Sequence, residues 1–109
     1  MDEPIRRQYE AYPYPPRDPA DEAKRLITGS PSHLLEIDHY LFAGRRDFRR
    51  GFRALVAGGG TGDATVMLAQ QLADAGADAK VVHLDLAENA LAIAEARVAA
   101  RGLRNVHFV

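Results

Sequence analysis

Cysteine and tryptophan are both absent from the 109-residue sequence, and proline is absent after Pro31. Without cysteine, the chain forms no disulfide framework, no thiolate zinc site and no cysteine nucleophile. No apolar run approaches the length of a membrane-spanning helix. The first residues, MDEPIRRQYEAYPYPP, carry acids and prolines where a signal peptide would need an apolar core. These absences favour a cytoplasmic protein without a membrane partner.

Charge of one sign is also lacking, since the formal net charge is -1. A basic excess is typical of duplex-binding proteins, so the balance gives no reason to expect nucleic acid as a partner. Hydrophobic residues make up 47% of the chain, which suits one small globular domain with its own core. The four histidines have no metal-ligand spacing, so we predict no metal site.

One basic cluster stands out against this neutral background. The segment GRRDFRRGFR contains a single acid, Asp47, among five arginines. A solvated linker is the more common meaning of such a run, although an anionic substrate or RNA would also suit it. The arginines are Arg45, Arg46, Arg49, Arg50 and Arg53.

Composition changes near residue 51 and divides the chain into two parts. Residues 1–50 form a proline-rich and helical lead-in, and residues 51–109 form the domain proper. Within the lead-in, YPYPPRDP at 12–19 should be extended or turn-like, because a residue before proline avoids the helical region. We expect its tyrosines to pack across the domain as a flap: Tyr9, Tyr12 and Tyr14.

Two short helices are predicted in the lead-in. The first spans about 20–28, where Asp18 or Asp21 can cap its start. The second spans 32–43, with Ser32 as its cap and apolar residues at helical spacing.

Strands and helices alternate regularly in the second part of the chain. Short apolar runs predict strands, the first of which should be buried on both faces, and amphipathic runs that end at Gly76 and Gly102 predict helices. The pattern is that of a right-handed parallel unit, which predicts a Rossmann-like, three-layer α/β/α fold with a parallel sheet. The strands are 53–57, 80–85 and 105–109, and the helices are 63–75 and 87–101.

A glycine run follows the first strand, in VAGGGTGDAT at 56–65. Such a run is kept where the chain turns sharply or where a ligand approaches the backbone, and a helix start behind it attracts an anionic or polar ligand. A dinucleotide fingerprint would need its third glycine at position 63, which is Asp63 here. No Gly-Lys-Ser/Thr follows at P-loop spacing either. The run is therefore neither of the common phosphate-binding loops.

The spacing that fits is G-x-G-x-G, at Gly58, Gly60 and Gly62, followed by Asp85 at the end of the next strand. In these residues the sequence resembles the class I S-adenosylmethionine-dependent methyltransferase family. The resemblance implies S-adenosylmethionine as cofactor, with its methionine part over the loop and its ribose hydroxyls on Asp85. It also implies a cofactor-binding segment that includes Gly59 and Thr61, and adenine contact from Leu86.

Each site residue also has a structural interpretation. Asp85 could cap the following helix, and Asp63 could charge the first turn of its own helix or contact the cofactor's ammonium group. The family often has an acid at the position of Val56, two residues before the loop, so one polar cofactor contact is missing here.

The resemblance implies methyl transfer to an acceptor that the sequence does not identify. Positioning dominates such a reaction, and the sequence offers no convincing general base, so no catalytic residue is assigned. Since the family fold has seven strands and only three are predicted here, we expect a truncated unit whose strand 53–57 has an open edge suited to self-association. The alternatives are a non-catalytic nucleoside-binding or protein-interaction fragment and an NAD(P)-dependent oxidoreductase.

Overall fold

A computed structural model describes residues 15–29 and 32–109. Residues 1–14, 30 and 31 are not described. The predicted tyrosine flap and the first part of the proline-rich stretch therefore lie outside the described residues.

Three parallel strands form one sheet in the order β1, β2, β3. The strands are β1 (Arg50–Ala57), β2 (Asp78–Leu84) and β3 (Val106–Phe108). Helix α1 (Leu34–Phe42) precedes the sheet, while α2 (Asp63–Asp74) and α3 (Glu88–Ala100) connect its strands. The predicted α/β, Rossmann-like arrangement is confirmed.

Glycines end both connecting helices, as the sequence predicts. Gly76 and Gly102 follow the last turns of α2 and α3 with φ angles of 65° and 66°. This left-handed conformation costs glycine no steric strain, so the chain leaves each helix and turns back to the sheet.

The core lies between the sheet and α2, on one face of the sheet only. Phe52 and Val81 of the strands pack with Leu68 and Leu72 of the helix. On the opposite face the side chain of Leu55 is 64% exposed. The prediction that the first strand is buried on both faces is therefore wrong for the described chain. Of the three predicted layers, the described residues supply the sheet and one layer of helices.

Both connections explain this one-sided covering. Each is a parallel crossover, and the strands are added in one direction along the sheet. Right-handed crossovers that proceed in one direction place their helices on the same face. Among the described residues, β1 pairs with β2 alone, so its outer edge has no strand partner. Self-association through this edge stays a prediction.

The lead-in is less helical than predicted. Its first helix is a short 3-10 helix, Pro19–Ala23, whose start is capped by the side chain of Asp18. Helix α1 begins after His33 and not at a Ser32 cap, so that cap prediction is wrong. The amide of Leu34 instead donates to the Gln71 side chain of α2 at 3.0 Å, which supplies the missing acceptor from another helix.

The arginine cluster is not simply a solvated linker. The guanidinium of Arg46 lies 5.9 Å and 5.6 Å from the ring centroids of Phe42 and Phe52, within cation–π range. Its backbone amide donates to Asp38 at 2.8 Å. Arg46 thus ties the end of α1 to β1. No helix in the described part of the chain is long and apolar enough to cross a membrane.

Candidate cofactor site

The carboxyl ends of β1 and β2 bring the glycine loop and the predicted ribose acid together. Ala57 pairs with Leu84 at the last register position, so Gly58 and Asp85 leave the sheet side by side. The amide of Gly60 donates to Oδ2 of Asp85 at 2.8 Å. The loop and Asp85 lie close together because the carboxyl ends of parallel strands meet at the same edge of a sheet.

The loop is a tight turn in which several backbone amides donate hydrogen bonds to nearby protein atoms. Gly58, Gly60 and Gly62 have φ angles of 65°, 58° and 103°, which only glycine adopts without strain. The amide of Gly62 donates to the carbonyl of Gly59, and the amide of Gly59 donates to Leu84, both at 3.1 Å. With the amide of Gly60 on Asp85, three loop amides already have acceptors. These three amides are therefore not available to a pyrophosphate, which a dinucleotide site holds with unpaired amides.

Protein atoms lie against two of the loop glycines. A Cβ on Gly59 would lie 2.5 Å from Nδ1 and 2.8 Å from Nε2 of His83, and one on Gly62 would lie 3.1 Å from Cβ of Ala94. A Cβ on Gly58 would meet no atom within 4 Å. The close approach at Gly59 and Gly62 is thus made by the fold itself, and of these three glycines Gly58 alone has open space on that side.

Asp85 is not the N-cap of the following helix, which begins after Ala87 without a side-chain cap, but its carboxylate holds the backbone on both sides. Its Oδ1 accepts from the amide of Ala87 at 2.8 Å, just before α3 begins, while Oδ2 holds Gly60. A carboxylate has about four acceptor positions, so two remain for a vicinal diol. Leu86, the next residue, is 53% exposed, which leaves an apolar side chain beside that carboxylate.

Thr61 faces the lead-in. Its side chain is fully buried, and its hydroxyl donates to the carbonyl of Pro15. Its own carbonyl accepts from Arg97 at 2.8 Å. The hydroxyl has therefore given its single hydrogen to the protein, and Thr61 joins the loop to the lead-in.

Asp63 opens α2, as predicted, but its carboxylate is paired with arginines. Arg17 donates to both oxygens at 2.8 Å and 2.7 Å, and Arg97 donates to Oδ1 at 2.8 Å. Burial raises the pKa of Asp63, but the hydrogen bonds from both arginines outweigh it, and the net pKa is lowered. Its contribution to stability is therefore present above the ordinary value of 3.8 and is lost as the pH falls through the lower folded value.

This carboxylate belongs to a charge cluster that we call the Arg97 cluster, made of Arg17, Glu22, Asp63, Arg97 and Arg101. Arg97 is fully buried and donates from Nε to Glu22 at 2.9 Å, and Arg101 pairs with the other Glu22 oxygen. Glu22 itself is 2% exposed. The cluster fastens the 3-10 helix of the lead-in to α3 and to the start of α2. No local sequence pattern indicates this cluster, because it joins residues of the lead-in to residues 46 to 79 positions away.

A cavity of about 240 Å³ lies beside the start of α2, between that helix and the lead-in. Asp63, the possible ammonium contact, lines it, but none of the predicted loop glycines, Thr61, Asp85 or Leu86 does. Its walls are Ile27, Thr28, Gly29, Ser32, Asp63, Ala64 and Met67.

Known proteins are similar to the part of the chain that contains the sheet and the glycine loop. The model of the ubiE/COQ5 methyltransferase family matches residues 41–109, which include the loop, Asp85 and all three strands. The chain belongs to this family. A demethylmenaquinone methyltransferase from Geobacillus stearothermophilus is 40% identical over 65 residues, which cover 60% of this chain and 26% of that protein. The chain thus spans about a quarter of the length of the relative it matches.

The resemblance to methyltransferases is therefore confirmed by membership of the ubiE/COQ5 family. The family match includes the glycine loop and Asp85, so the residues that carried the resemblance lie within it. Individual cofactor contacts of Gly58, Gly59, Gly60, Thr61, Gly62, Asp85 and Leu86 stay predictions.

Proposed function

We propose that this chain binds S-adenosylmethionine across the ends of β1 and β2 and supplies the cofactor site of a methyltransferase. The observation that carries the proposal is the pairing of an open backbone at Gly58 with a carboxylate at Asp85 that keeps acceptor positions free. A ribose diol donates two hydrogen bonds, which an ionised carboxylate accepts well. The exposed side chain of Leu86 suits the adenine.

When bound, S-adenosylmethionine supplies an electrophilic methyl group on a sulfonium, with S-adenosylhomocysteine as the leaving group. Asp85 would hold the ribose, and the backbone of the glycine loop would lie against the methionine part of the cofactor. Together they would fix the direction of the methyl group. Such positioning is a large part of catalysis in a displacement that needs no covalent enzyme intermediate.

The oxidoreductase alternative is disfavoured by the loop. A nicotinamide dinucleotide brings a pyrophosphate, and the amides of Gly59, Gly60 and Gly62 already have acceptors within the protein. The carboxylate of Asp63 would repel a pyrophosphate if it were unpaired. Arg17 and Arg97 neutralise it, so its charge is a weak argument against this ligand.

Asp85→Asn is expected to weaken binding of S-adenosylhomocysteine by roughly ten- to a hundredfold, because hydrogen bonds to a charged acceptor contribute about 1.5–3 kcal/mol. Calorimetric titration measures it, with NAD as the ligand control. Asp78→Asn is the matched variant, since Asp78 is an exposed acid at the opposite end of the same strand. Equal affinity of wild type and Asp85→Asn for S-adenosylhomocysteine would refute the ribose contact. Binding of NAD and not of S-adenosylhomocysteine would favour the oxidoreductase.

The relative's name suggests the acceptor class for the methyl group. We propose that a demethylmenaquinone receives it, on the strength of the 40% identity to a demethylmenaquinone methyltransferase. Incubation with methyl-labelled S-adenosylmethionine should then transfer the label to added demethylmenaquinone and release S-adenosylhomocysteine. Binding of the cofactor without label transfer to this quinone would contradict the acceptor and leave the cofactor site intact.

A further inference from the structure

His83 lies directly beneath the glycine loop. It belongs to β2, two residues before Asp85, and its side chain is fully buried. Its ring fills the space where a side chain of residue 59 would be, as the 2.5 Å separation from Nδ1 indicates. The path of the loop over the end of the sheet is therefore set by contact with this imidazole.

The ring is held from two further elements. Its Nδ1 lies 2.7 Å from the hydroxyl of Thr65 in the first turn of α2, and its ring centroid lies 5.3 Å from that of Phe108 in β3. Its Nε2 is buried without a hydrogen-bond partner in the described structure. The imidazole is thus packed between loop, helix and strand, with one nitrogen bonded and the other not.

The surroundings favour the neutral ring. Burial lowers the pKa of His83 below its ordinary value of 6.5, although the backbone of Gly60 and the charges of Asp85 and Glu95 raise it. Asp85 directly follows β2 and Glu95 lies on α3, while α2 and β3 present the uncharged Thr65 and Phe108. A second ring proton would create a cation at this buried position, which is unfavourable.

We propose that His83 is a positioning residue of the cofactor site, whose neutral imidazole holds the glycine loop so that Gly58 and Asp85 face the same ligand. Protonation of the ring displaces the loop and weakens cofactor binding. The inference rests on the proposed function for the identity of the ligand, but the coupling between His83 and the loop can be observed without any ligand.

The first experiment follows the loop amides of Gly59 and Gly60 by ¹⁵N NMR as the pH falls from 8 to 5. Both resonances are expected to shift in one transition, centred below 6.5. The transition should vanish in His83→Phe and persist in His107→Gln, which changes an exposed histidine of β3. Thr65→Val should move it along the pH axis, because the ring then loses its hydrogen-bond partner at Nδ1. The proposal would be overturned if the resonances of these amides did not change with pH. It would also be overturned if they showed the same transition in His83→Phe and Thr65→Val as in wild type.

The second experiment measures affinity for S-adenosylhomocysteine across the same pH range. Wild-type affinity should fall by roughly tenfold per pH unit once the free protein is protonated at His83, and His83→Phe should remove this dependence. Binding with the same pH profile in both proteins would overturn the positioning role. Loop amides that titrate with His83 in a protein that binds no S-adenosylhomocysteine would uphold that role and refute the proposed function.

Discussion

Gly59→Ala is expected to lower the free energy of unfolding by about 1–3 kcal/mol, the usual cost of overpacking a close contact. The added methyl group would overlap the imidazole of His83, which is fully buried and contacts Thr65 and Phe108. Unlike its neighbours in the loop, Gly59 does not have a positive φ, so the loss would come from this contact and not from backbone strain.

A double-mutant cycle measured by urea unfolding tests this assignment. In a His83→Ala background the ring is gone, and Gly59→Ala should then cost less than about 0.5 kcal/mol, because contacting residues are not additive. Gly29→Ala is the matched control, since its Cβ would meet no atom within 4 Å. The same loss in both backgrounds would show that His83 is not what excludes a side chain at position 59.

Arg97→Met is expected to lower the free energy of unfolding by about 3–5 kcal/mol, as happens when one partner of a buried ion pair is removed. The methionine replaces only the aliphatic part of the arginine side chain and leaves Glu22 and Asp63 with one arginine each. It also removes the donor to the carbonyl of Thr61. Because domains are stable by only about 5–15 kcal/mol, this variant would be marginal.

Arg49→Met is the matched control for that loss. Arg49 is also ion-paired, to Asp47, but its side chain is 70% exposed, so its loss should leave the free energy of unfolding nearly unchanged. Adding Glu22→Gln to Arg97→Met should cost less than Glu22→Gln does in wild type, because the Glu22 carboxylate has then already lost one of its two arginines. Urea unfolding of the wild type and these four variants gives the values. An Arg97→Met loss as small as that of Arg49→Met would contradict the assigned role of the Arg97 cluster.

The elements of the second half could be predicted from the sequence because their signals are local. Apolar runs marked the strands, helical spacing marked the helices, and Gly76 and Gly102 marked the stops. The meeting of Gly60 with Asp85 also followed from local signals, since both residues come directly after parallel strands.

The contacts that hold the site together could not be predicted in this way. Asp63 pairs with Arg17 and Arg97, which lie 46 and 34 residues away, and no periodicity relates such positions. The sequence also treats the loop glycines alike, whereas the structure separates Gly59, which accommodates His83, from Gly58, which has open space. The alternation of Val81, His83 and Asp85 along β2 was the one available signal, because it places the histidine on the covered face of the sheet.

The exposure of one face of the sheet could not be predicted from the sequence either. A continuous apolar run such as RALVA predicts a strand buried on both sides, yet burial depends on which elements the rest of the fold supplies. In the described chain both helices fall on one face, and Leu55 stays exposed on the other.

The most direct test of the cofactor site is a ¹⁵N NMR titration of the chain with S-adenosylhomocysteine. The account predicts the largest amide shifts at Gly58, Gly60, Asp85 and Leu86, with little change at Ile27 and Met67 beside the neighbouring cavity. Shifts centred on that cavity, or no shifts at saturating ligand, would contradict a cofactor site at the ends of β1 and β2.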